Sequence, residues 1–176
     1  MTQRRTAWLA VVAGVLTPTA LVLSAPRSAR GDDAGQEGAI RDAVVKISAT
    51  MRMPDPLHPW TKQSPRDASG TGVVVEGKRI LTNAHVVTYA SQLFVESSQS
   101  SDKLVATVEA VSPGIDLALL KLEDESFFEN RTPLPRTRTL PTVKEGLLVY
   151  GYPQGGSTLS VTKGIVSRVE FAPFGG

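Results

Sequence analysis

The sequence predicts an all-β fold, a barrel or a sandwich. Three observations carry this: short apolar, β-branched runs recur at regular spacing, Gly, Pro and Ser break them, and no amphipathic helix of about 15 residues interrupts the series. A chain of 176 residues that is 41% hydrophobic and 20% charged has the length and composition of a globular domain with a real core.

The elements follow in order. Arg4 and Arg5 precede an apolar stretch from Ala7 to Leu16, a Thr17-Pro18-Thr19 break, a second apolar run from Ala20 to Leu23, and the small residues Ser24 and Ala25 before Pro26. A basic start, an apolar middle and a small-residue end are the parts of a secretory signal peptide, here residues 1–25. An uncleaved anchor needs about 20 apolar residues, and Pro18 with its flanking threonines interrupts them. Twin-arginine export is a second reading of the Arg4-Arg5 pair. Residues 26–39, rich in Pro, Arg, Gly, Asp and Gln, read as a flexible linker.

Ala43 to Met51 is a β-branched strand run, entered through a short helical turn. The following residues, 53 to 69, hold Pro54, Pro56, Pro59 and Pro65 and predict a long loop. Gly70 to Glu76, a Gly77-Lys78 turn and Arg79 to Thr82 predict a hairpin. Further strands are expected at Gln92 to Glu96, Leu104 to Val111, Leu117 to Leu122 and Leu147 to Tyr152, with a hairpin across Thr158 to Phe171.

Charge and cysteine content exclude whole classes of function. The chain has no cysteine, which removes disulfide scaffolds, zinc ribbons and thiol nucleophiles, so any chemistry falls to Ser, Thr, His, carboxylates or Lys. Four of the 19 basic residues lie in the first 30 positions with no acid beside them; the remaining 15 face 17 acids, a net charge of −2. No basic footprint for nucleic acid remains in the folded part. An exported chain without cysteine fits the periplasm or cell envelope of a bacterium.

The candidate chemistry rests on two residues. Of the two histidines, His58 lies in the proline-rich loop and reads as an exposed loop residue. His85 follows a strand in Leu81-Thr82-Asn83-Ala84-His85-Val86-Val87, where Asn83 is a good N-cap for a helical turn starting at Ala84. Asp116 opens the apolar run Asp116-Leu117-Ala118-Leu119-Leu120-Lys121-Leu122 after a Pro113-Gly114-Ile115 turn. Its plain alternative is a turn carboxylate that accepts backbone amides. A carboxylate entering an apolar strand is costly unless its charge is bound, and an imidazole N–H from His85 would bind it. Such a pair holds one histidine tautomer and stabilises the imidazolium, as a general base for a hydroxyl nucleophile requires. The acidic run Glu123-Asp124-Glu125 with Glu129 lacks the ligand spacing of a calcium loop, and two separated histidines without a thiol make no transition-metal site. No metal and no cofactor are expected.

The segments Gly70-Thr71-Gly72-Val73-Val74-Val75, Leu81 to Val87 and Asp116 to Lys121, with Gly151-Tyr152-Pro153-Gln154-Gly155-Gly156 and Ser160 to Glu170, resemble the trypsin-like serine proteases of the HtrA/Deg group. The Pro-rich loop Met53 to Pro65 adds a likeness to the plant-type Deg branch and its bacterial relatives. The resemblance runs from Ala43 to Phe171. It implies a chymotrypsin-like double β-barrel, the first barrel over 40–140 and complete, the second starting at 141–176 and truncated, with the active site in the cleft between them. It also implies that His85 is the general base and Asp116 the acid that orients it. The family's nucleophile sits in a Gly-Asn-Ser-Gly-Gly motif, which does not occur before Gly176. Ser157 and Ser69 do not replace it: the first reads as a hairpin-turn residue and the second as a strand entry, and neither has the pattern of a nucleophile elbow.

The function implied is a serine endopeptidase of the envelope that acts on unfolded or misfolded polypeptides, these 176 residues alone being inactive. The partners expected are polypeptide substrates; nucleic acid is excluded, homo-oligomerisation stays open, and stable membrane insertion requires an uncleaved signal. The alternative is a protease-like binding or adaptor module without a nucleophile, which has no need of a His/Asp pair. Cleavage after Ala25 is expected to yield an exported product beginning at Pro26; intact-mass analysis distinguishes it from a chain that retains Met1.

Overall fold

Along β1 (Val44–Met51) every second side chain, Val45, Ile47 and Ala49, is almost completely buried, the period-two pattern of a strand with one face in a core. The same alternation runs through β3 (Arg79–Thr82), β6 (Leu117–Leu122) and the middle of β4 (Ala90–Ser97), while β2 (Arg66–Val75) is buried only in its last four residues, at Gly72, Val74 and Val75. With β5 (Lys103–Ser112) these strands close into a six-stranded barrel in the order β1-β2-β3-β6-β5-β4, all pairs antiparallel. The computed structural model describes residues 30–97, 102–153 and 156–170. The expected signal segment 1–25 and Phe171 lie outside them.

The barrel interior is filled by Val45, Ile47, Val74, Ile80, Leu93, Val95, Ala118 and Leu120, and the 3-10 turn Glu125–Phe128 adds Phe127 and Phe128 to the same cluster. Burial of branched aliphatic side chains at roughly 25 cal/mol per Å² is the main stabilising term here. Gly72 shows how tight the interior is. A Cβ built on it would stand 2.7 Å from Ile80 Cγ2 and 2.9 Å from Ile47 Cδ1, so only glycine leaves room for the two isoleucines.

Beyond the barrel the chain crosses back over β2, where the Leu134 N–H donates to Val74 O at 3.0 Å. It then forms the two-stranded sheet of β7 (Gly146–Gly151) and β8 (Ser160–Ile165). The Tyr152 N–H donates to Thr71 Oγ1 at 2.8 Å, tying the end of β7 to the barrel.

The strands appear where the hydrophobic runs predicted them, with β6 spanning the expected Leu117 to Leu122, and the fold is all-β. Three local expectations are corrected. The stretch read as a flexible linker carries α1 (Arg30–Ala43), where Glu37 and Arg41 pair one turn apart at 2.9 Å and Ala43 is buried in the barrel core; such an i,i+4 pair and a packed end are the supports a short helix needs. The proline-rich loop ends four residues early, because β2 begins at Arg66, just past the last proline, and pairs there with Met51. Residues 158–170 form one strand rather than a hairpin: β8 pairs with β7, and the Val166 N–H donates to Glu145 O while Val166 O accepts from Lys144 N. β8 thus pairs with the strand just before it in the chain, across residues 152–159, and not with the residues that follow it.

Gly72→Ala is expected to overpack the barrel and cost about 1–3 kcal/mol, read as a Tm lower by several degrees in a thermal melt. An unchanged Tm would mean that Ile47 and Ile80 can move aside.

Candidate active site

Strand register brings the two predicted residues together. β3 and β6 are neighbours with Ile80 opposite Leu120, Leu81 opposite Leu119 and Thr82 opposite Ala118. Two more steps in each direction carry the chain past the end of β3 into α2 (Ala84–Val87) and back before β6 to Asp116. His85 and Asp116 thus share one end of the barrel, 31 residues apart in sequence. His85 Nδ1 lies 2.7 Å from Asp116 Oδ2, and the His85 backbone N–H donates to Asp116 Oδ1 at 2.9 Å.

Each element is held for a local reason. Pro113–Ile115 forms a 3-10 turn that ends on Asp116 with φ 51° and ψ 44°, the left-handed region that Asp tolerates better than most residues. α2 is a single turn whose Val86 and Val87 are buried in the barrel core, which turns the His85 ring outward. Asn83 stands at the N-cap position, as its sequence setting suggests, but its side chain does not cap the helix. The Asn83 amide donates to Asp116 O at 3.2 Å and to Asp116 Oδ2 at 3.1 Å. The first-turn N–H of His85 is satisfied instead by the carboxylate of Asp116, so a residue from another strand takes over the capping.

The electrostatics follow from these donors. The backbone N–H of His85 is the main cause that holds the Asp116 carboxyl below the usual carboxylate range; partial burial works against it, and the His85 ring and the Asn83 amide reinforce it. The carboxylate side chain is 20% exposed and the imidazole 70%. With Nδ1 engaged by Asp116, Nε2 is left on the exposed side of the ring, where it can exchange a proton with a bound group. Asn83 and Leu117 also line a cavity of about 370 Å³ that reaches Thr71, Leu134 and Tyr150.

The other candidates fall elsewhere. His58 is exposed, as expected, yet its Nδ1 lies 3.2 Å from Asp55 Oδ2, a second His/Asp contact within one loop. Asp55 also accepts the backbone N–H groups of Leu57 and His58, so this contact belongs to a carboxylate that stitches the loop. The Asp-x-x-His spacing was its signal in sequence. Ser69 sits within β2 opposite Ser48, and Ser157 follows the second sheet's Gly151 in an irregular stretch. In the acidic run, Asp124 accepts from Ser126 N and Glu125 pairs with Lys78 at 2.7 Å.

A family model described as the trypsin-like peptidase domain matches residues 70–175. "Protease Do-like 4, mitochondrial" of Arabidopsis thaliana is 41% identical over 133 residues, covering 76% of this chain and 26% of that protein. "Putative protease Do-like 6, chloroplastic" of the same plant is 45% identical over 130 residues, covering 74% of this chain and 58% of that protein. This chain therefore spans about a quarter to three fifths of the length of these relatives. Among solved structures, an HtrA-type protease with a tripeptide superposes with a TM-score of 0.59 at 25% identity over 77% of this chain and 39% of that one. The closed barrel and this likeness make the fold chymotrypsin-like.

Because the Asp116 carboxyl titrates lower in the folded chain than in the unfolded one, its contacts stabilise the fold above the ordinary carboxylate range, and that contribution is lost as pH falls through the folded value. Urea unfolding followed from about pH 7 to about pH 3 is expected to show a smaller acid loss for Asp116→Asn than for the wild type. Parallel profiles would mean that the carboxylate adds nothing.

Proposed function

The chain belongs to the family of trypsin-like peptidase domains, in its HtrA/Do-like branch, and from that premise we propose that it carries the general base and the orienting acid of a serine endopeptidase. The observation that supports this most is the 2.7 Å contact of His85 Nδ1 with a carboxylate that is itself fixed by the His85 backbone N–H, on a ring that stays open to solvent.

In the proposed reaction a serine hydroxyl attacks the carbonyl carbon of the scissile peptide. His85 Nε2 takes the hydroxyl proton as the C–O bond forms, and Asp116 holds the proton on Nδ1 and balances the imidazolium. When the C–N bond breaks, Nε2 gives the proton to the departing amine and an acyl-enzyme remains. Water then repeats the sequence, losing a proton to Nε2 and releasing the acid and the free serine. The substrates proposed are unfolded or misfolded polypeptides in the envelope, reached by export on residues 1–25.

In the complete protein His85→Ala is expected to abolish cleavage of unfolded casein, and Asp116→Asn to lower turnover by about 10⁴, the loss that a wrong histidine tautomer causes in Ser-His-Asp triads. Cleavage that survives His85→Ala would remove the role assigned to it. A wild-type protein that binds casein but never cuts it would favour the adaptor.

A further inference from the structure

We infer that Asn83 is a positioning residue for the His85–Asp116 pair: its side-chain amide clamps the Asp116 carboxylate in the orientation that receives the proton on His85 Nδ1. The consequence for turnover rests on the peptidase reading; the clamp itself does not.

The argument starts from what Asn83 does not do. An Asn before a helical turn normally spends its side-chain oxygen on an N–H of the first turn. Here it makes no cap bond, and the N–H of His85 goes to Asp116 Oδ1 at 2.9 Å. The Asn83 side chain is exposed, so core packing does not explain its presence either. What it does is donate to two acceptors of one residue, Asp116 O and Asp116 Oδ2.

Two acceptors on one residue fix a conformation as well as a distance. Asp116 is held in the left-handed region, where its main-chain carbonyl and its carboxylate both come within reach of a single amide. The bond to the carbonyl ties Asn83 to the backbone of Asp116, and the bond to Oδ2 fixes rotation of the carboxylate group. Oδ1 is anchored separately by the His85 backbone N–H, leaving Oδ2 as the oxygen presented to the ring at 2.7 Å. Without the amide, the carboxylate could pivot about its Oδ1 anchor and water would compete for Oδ2. The 3-10 turn and the last residues of β3 then act through Asn83 on a proton they never touch.

The test reads the tautomer of His85 directly, by ¹⁵N–¹H correlation of the imidazole in the 176-residue chain, which needs no nucleophile. In the wild type the neutral ring is expected to carry its proton on Nδ1. In Asn83→Ala, and in Asn83→Leu, which keeps the side-chain volume but removes the amide, the Nε2–H form preferred by free imidazole is expected to grow at its expense, with Tm within a few degrees of the wild type. In the complete protein the same variants are expected to lose about 10² in kcat with KM retained, the scale on which a misplaced catalytic group is felt. An unchanged tautomer in both variants overturns the inference, as does a change that appears only together with collapse of the fold, which would make Asn83 structural. If His85→Ala leaves cleavage intact, the peptidase reading fails, and the tautomer measurement still decides the clamp.

Discussion

The ladder between β3 and β6 is the constraint on which the candidate site depends. Three consecutive antiparallel pairs, from Ile80 opposite Leu120 to Thr82 opposite Ala118, fix how far each chain runs before it leaves the barrel. A slip of one residue would send Ile80 and Leu120 to the outside, and these two side chains are completely buried. The core therefore sets the register, and the register sets His85 against Asp116. Closing the barrel on β1 and β4 removes its free edges and gives the ladder no alternative partner.

The polar groups around Asp116 are arranged so that its charge is compensated. Asp116 would be a costly residue beside a barrel core; backbone and side-chain donors from the Asn83–His85 segment satisfy it. One carboxylate thus serves at once as helix cap, as partner of the ring and as the tie between two strands. By contrast, the exposed Lys78–Glu125 pair, although only 2.7 Å long, contributes little in water. The difference lies in how many fixed donors surround each carboxylate and how far water is kept away.

Much of this was legible in the residues. The runs that became β1, the β2–β3 hairpin, β4, β5, β6 and β7 are marked by alternation and β-branching, and the His85/Asp116 pairing follows from a carboxylate in want of a donor beside an apolar strand. Other features were not legible, because their cause lies far away in the chain. α1 looks like a linker by composition and is helical with its end packed on the barrel. β8 pairs back onto β7, the strand before it, whereas its sequence predicts that the residues after it fold onto it. Asn83 has every appearance of an N-cap, and only the approach of Asp116 from another strand redirects its amide. The His58–Asp55 contact had a local signal in its spacing, and closer reading of the sequence would have found it.

The sequence by itself determined the all-β class, the strand positions and the two side chains of the candidate site, since these depend on periodicity, turn residues and residue chemistry that act over a few positions. Tertiary structure alone decided the barrel's strand order, the packing of the helix before β1 and the use to which Asn83 is put. Those outcomes depend on which distant group arrives at hydrogen-bonding distance, and that is set only when the barrel closes.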